Sequence, residues 1–110
     1  MVVIDRDGHR VGEVDGLVVG ANSQGQPRAF LLVIGSGGIL GLGRVLRFVP
    51  VESILDVGDR VRIQPSHQTV HRSPHQDAQG QPPRFDMVFE HYGQPSPLGA
   101  GALPRMRLCR

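Results

Sequence analysis

The apolar positions of this chain come in short bursts separated by glycine, proline and polar clusters, the pattern of a β-rich fold. Val2, Val3 and Ile4 read as a strand, and Asp7-Gly8 supplies the tight turn that follows. Residues 10–20 read as the return strand. Val11 and Val14 are three apart, so strict alternation fails there, and a bulge at Gly12 or Gly16 would reset the pleat. After the polar connection 22–27, residues 28–35 form the most apolar strand of the chain, and a glycine-rich excursion runs through 35–43. Residues 44–49 make a fourth strand that Pro50 ends, and 51–55 read as one helical turn or extended chain. Residues 59–64 alternate cleanly, with Val61 and Ile63 on one face and Arg60, Arg62 and Gln64 on the other, before Pro65.

The pattern then changes. Residues 65–83 carry four prolines and almost nothing apolar, and read as a linker or extended wrap. Phe85, Val88, Phe89 and Tyr92 fall at helical spacing and predict a short docked segment over 85–92. Residues 93–110 have too little apolar content to fold alone. The division expected is a β domain over 1–66 and a Pro/Gln/Gly-rich extension over 67–110. Five or six short strands with glycine-marked bends and no long helix predict an all-β domain, a small closed or half-open barrel.

Charge narrows the partners. All 12 basic residues are arginine, 10 residues are acidic, and the formal net charge is only +2. That is not a nucleic-acid footprint, which needs clustering on one face. The arginines at 105, 107 and 110 form a short basic end that reads as a solvated terminus. The single cysteine, Cys109, rules out an internal disulfide and reads as a bystander thiol. The longest nearly apolar run, 29–43, is broken by five glycines and is too short to span a bilayer. A soluble, cytoplasmic protein with no membrane insertion is expected.

Several groupings invite chemistry and do not carry it. The 35–43 loop has Leu40 where a dinucleotide-binding pattern needs glycine, and it lacks Gly-Lys-Ser/Thr. His67, His71 and His75 are four apart and would share a helix face as metal ligands, but Pro65 and Pro74 flank them and no further ligand completes the set. Asp5, Asp7, Glu13 and Asp15 lack the later ligands of a calcium loop and are expected to pair with Arg6 and Arg10. Arg44, Arg47, Arg60 and Arg62 would read a phosphate backbone if adjacent strands brought them together. No catalytic residue, cofactor or metal site is assigned.

The order of these pieces resembles a known family. Residues 3–19, then an apolar strand, Gly37-Gly38-Ile39-Leu40-Gly41-Leu42-Gly43, Phe48-Val49-Pro50 and Asp59-Arg60-Val61-Arg62 are similar to PRC-barrel domains over about residues 2–64. The resemblance implies a six-stranded, roughly SH3-like barrel serving as an association module without catalytic residues. The family includes the cytoplasmic domain of the photosynthetic reaction-centre H subunit and the C-terminal half of a bacterial ribosome maturation factor. Residues 65–110 have no counterpart in that pattern.

One strand suggests how the domain associates. Phe30, Leu32 and Ile34 point one way and Ala29, Leu31 and Val33 the other, so both faces of the third strand need cover. Either the 85–92 segment folds back over it or a second subunit does. The expected association surface is Leu31, Val33, Ile39, Leu40, Leu42, Phe85, Phe89 and Tyr92. The expected function is non-catalytic protein–protein association, as a homodimer or an accessory subunit of a larger assembly. An RNA- or ribosome-associated factor and a peripheral subunit of a membrane complex are the alternatives.

Overall fold

Strand pairing in the computed structural model follows the apolar bursts. The structure describes residues 1–22, 24–37, 43–76, 82–95 and, for the backbone alone, 107–109. The strands are β1 (Val2–Ile4), β2 (Arg10–Ala21), β3 (Pro27–Ser36), β4 (Val45–Pro50), β5 (Ile54–Val57), β6 (Arg60–Ile63), β7 (His75–Gln76) and β8 (Arg107–Cys109). A single turn of 3-10 helix, Val51–Ser53, precedes β5, and two short helices, α1 (His67–His71) and α2 (Phe85–His91), lie outside the sheet. The strands join in the order β5-β6-β1-β2-β3-β4-β7, and β8 pairs with β2. The fold is mostly β, as the pattern predicts, but the path runs from β5 to β7 without closing.

Four register shifts interrupt this sheet, three along β1, β2 and β3 and a fourth on β5 between Ile54 and Asp56. Pairing steps from Val3↔Gly12 to Ile4↔Arg10, leaving Val11 extra, and from Val14↔Ile34 to Gly16↔Val33, leaving Asp15 extra. Both lie beside the glycines where alternation fails in the sequence. Gly12 also permits close approach, since a Cβ there would sit 2.6 Å from the carbonyl oxygen of Gly35. The third bulge is on β3: Val18 pairs with Leu31 and Val19 with Ala29, leaving Phe30 extra.

The two faces of β3 pack into separate clusters. Leu32 and Ile34 join Val3, Val49, Val61, Ile63 and Val70. Leu31 and Val33 join Val18, Leu46 and Phe48, and Val88 and Phe89 of α2 complete that cluster. The expected split is corrected at one residue: Phe30 belongs with Leu31 and Val33, because the bulge takes it out of alternation. The cover over Leu31 and Val33 comes from the chain's own α2. An isolated seven-residue helix would not persist in water, so α2 owes its existence to this packing.

Two expectations about the C-terminal part are corrected. The stretch 65–83 is not simply a linker: α1 sends Val70 into the core and β7 pairs with β4 through Leu46↔Gln76 and Arg47↔His75. One buried valine, a capping serine and two strand residues suffice, and none of these makes a periodic signal. The basic end is corrected in part: the backbone of 107–109 forms β8, which pairs with β2 through Leu17↔Cys109, Val18↔Leu108 and Val19↔Arg107, while Arg105 and Arg110 lie outside the described residues.

Replacing Phe89, which is buried under this arrangement, tests the docking of α2. Phe89→Ala is expected to lower stability by about 3–5 kcal/mol. The exposed Met87→Ala is expected to stay within about 0.5 kcal/mol of the parent. Urea denaturation checks both, and equal midpoints for the two variants would refute the docked helix.

Candidate functional site

Asp5, the one fully buried carboxylate among the described residues, accepts hydrogen bonds from the first turn and from α1. It follows β1 and opens the turn that Gly8 completes at φ 85. Its Oδ1 accepts the backbone N–H of Asp7 at 2.9 Å and of His9 at 2.8 Å. Its Oδ2 accepts the backbone N–H of His67 at 2.9 Å and meets the Nδ1 of His67 at 2.8 Å. An ionised carboxylate only accepts, so that Nδ1 carries the proton. Burial alone pushes this carboxyl up, but the His67 ring and the N–H groups of His67, His9 and Asp7 outweigh it and hold the group well below the usual carboxylate range.

These bonds fasten α1 to the first hairpin. Ser66 caps the helix, its Oγ accepting from the N–H of Thr69 at 3.2 Å. Val70 on the inner side enters the core, while His67 and His71 border a cleft. The cleft has a volume of about 370 Å³ and is lined by Arg10 and Val11 of β2, Ser36 of β3, Arg47 of β4, and His67, Gln68, Val70, His71 and Arg72 of the α1 region. Among the described residues its lining includes three arginines and no carboxylate.

Arg47 is one of its lining residues. Its Nη1 donates to Ser36 Oγ at 3.1 Å and its Nη2 lies 3.3 Å from His71 Nδ1. Its Nε is buried with no hydrogen-bond partner among the described residues. Desolvation lowers the pKa of this guanidinium, and the electrostatic effect of the neighbouring Tyr92 acts in the opposite sense. Burial in turn pushes the Tyr92 hydroxyl up to about 12, against the effects of Ser73 and Arg47.

The groupings expected from sequence are redistributed. Arg47 does not converge with Arg60 and Arg62, because β3, β2 and β1 lie between β4 and β6. Arg44 lies 3.5 Å from Asp15, and Arg62 lies 3.6 Å from Asp56. Of the acidic cluster, Glu13 pairs with Arg10 at 2.8 Å and Asp7 approaches Arg6 at 3.9 Å, as expected. Asp5 instead turns inward. His75 sits on β7 with its Nδ1 3.2 Å from the carbonyl oxygen of Ser73. The metal-capable grouping among the described residues is a different set, Asp5, His9 and His67, with ligand atoms within 4.8 Å of one another. Both Asp5 oxygens already accept hydrogen bonds from the turn and the helix, and this carboxylate acts as their clamp.

The expected association residues also divide. Leu31, Val33 and Phe89 are buried within the chain, while Phe85 and Tyr92 are partly buried against the same cluster. In this fold the first three offer no surface to a partner. Ile39, Leu40 and Leu42 lie outside the described residues. The apolar side chains left open include two on β5: Leu55 is 45% exposed and Val57 64% exposed. No described helix is long and apolar enough to cross a membrane.

Comparison with protein-family models, with curated proteins and with solved structures finds no match.

The Asp5 clamp makes an acid-sensitivity prediction. Its folded pKa is depressed, so its contribution is present above the unfolded value, about 3.9, and is lost as pH falls below that value. Asp5→Asn is expected to cost about 2 kcal/mol at neutral pH, the scale of hydrogen bonds to a charged group. It should also remove this part of the acid sensitivity. Urea titrations across pH 2–7 check both effects, and a variant that matches the parent throughout would refute the clamp.

Proposed function

We propose that this chain is a non-catalytic association module of the PRC-barrel kind that forms a homodimer through the free edge of β5. The observation that carries this reading is the contrast between the two ends of the sheet. One end is β7, two residues long and preceded by Pro74, a short and protected edge. The other is β5, which no described strand pairs on its outer side and which carries exposed Leu55 and Val57. Asp56, the one charged residue in β5, lies 3.6 Å from Arg62 of its own sheet. An edge of this kind is a template for another strand.

A second copy is the favoured occupant. Two β5 edges related by a two-fold axis would pair antiparallel, satisfying both rows of backbone groups and covering Val57 on each side. Val57 lies opposite Val61, a core residue of β6, so this pairing would extend an existing apolar face. The element order over residues 2–64 supports the PRC-barrel resemblance: a hairpin, a central apolar strand and an alternating strand ending in Ile63. The outer face of β3 is already covered by α2, so β5 rather than β3 offers the surface for a second copy.

Sedimentation at micromolar concentration tests this. The wild-type chain is expected at twice the 12.0 kDa chain mass. Val57→Asp is expected at the single-chain mass and still folded, since Val57 contributes little to the core. A wild-type monomer at every concentration would refute the dimer.

A further inference from the structure

We propose that the cleft between β2, β4 and α1 binds a phosphate monoester, with Arg47 as anchor and Arg10 and Arg72 as flanking donors. The inference is independent of the β5 edge, which lies at the far end of the sheet. Its basis is an unmet charge. Among the described residues, the groups within hydrogen-bonding distance of Arg47 are a serine hydroxyl and an imidazole nitrogen, neither an anion. Its Nε is buried with no partner among the described residues. A guanidinium taken partly out of water without a counter-ion is costly, and an anion in contact with it offsets that cost.

The surroundings increase the positive charge. Arg72 is exposed beside α1 and forms no ion pair with a described carboxylate, and Arg10 lines the cleft although Glu13 engages one of its nitrogens at 2.8 Å. His67, fixed by Asp5, borders the same space. Donors therefore come from three separate elements, β2, β4 and the α1 region. A planar carboxylate suits one guanidinium fork, whereas a tetrahedral phosphoryl group presents oxygens in several directions at once. At about 370 Å³ the cleft is in the range of small-ligand sites, about 300–1,000 Å³, and larger than bare phosphate needs. The remaining space borders Val11, an apolar wall for a small organic group.

Titration of the full chain with glycerol 3-phosphate, inorganic phosphate and acetate, followed by amide NMR at constant ionic strength, tests the site. The proposal expects saturable shifts at Ser36, His71 and Arg72, with glycerol 3-phosphate at least as tight as inorganic phosphate and acetate at least tenfold weaker. Arg47→Met is expected to weaken binding at least tenfold. Arg72→Gln alters an exposed side chain and is expected to weaken it severalfold with unchanged melting, so it decides the matter if Arg47→Met does not fold. Non-saturating shifts, acetate binding equal to phosphate, or wild-type affinity in Arg72→Gln would each overturn the proposal.

Discussion

The burial of β3 on both faces is the constraint on which the rest of this structure depends. An antiparallel strand in a small domain ordinarily has one dry face and one wet one. Here Leu32 and Ile34 supply one cluster and Leu31 and Val33 another, and every one of these four side chains is buried. The sheet alone covers only one side. The second requires α2, brought back from more than fifty residues further along the chain to lay Val88 and Phe89 against β3 and β4. Fully burying each such side chain contributes about 1.5–3 kcal/mol, which is substantial in a domain whose net stability is of order 5–15 kcal/mol. The aromatic segment is thus part of the core.

What was legible in the sequence was local and periodic. The alternation of Val61 and Ile63 with Arg60 and Arg62 gives β6 and its buried face directly. The turn at Asp7-Gly8 and the helical spacing of Phe85, Val88, Phe89 and Tyr92 are equally direct, and so is the need for a second cover over β3. The parts that could not be read depend on partners distant in sequence. Asp5 and His67 are 62 residues apart, and nothing near either one signals the other. α1 has a single buried residue, β7 only two residues and β8 only three, each too short for a period to emerge. Phe30 was misassigned because a bulge cancels the alternation that the reading assumed.

The same lesson applies to the arginines. Sequence spacing groups Arg44 with Arg47 and Arg60 with Arg62, but strand order separates the pairs and places Arg47 beside Arg10 and Arg72. The carboxylate clamp makes this possible, since it fixes α1, and with it His71 and Arg72, over the end of β4. A structural hydrogen-bond cluster and a cationic cleft are consecutive layers of one construction, the buried layer setting the geometry of the open one.

The pairing of β8 with β2 has a consequence for how the sheet assembles. β2 and β3 are neighbours in the chain and can form a hairpin early, whereas residues 17–19 wait for 107–109 before their other edge is filled. β1 similarly waits for β6, whose parallel pairing joins Val2 to Arg60 and Val3 to Val61. Such distant pairings carry a loop-closure cost before they return any contact energy. During synthesis, the emerging N-terminal hairpin would therefore present an incomplete border until residues 107–109 are made.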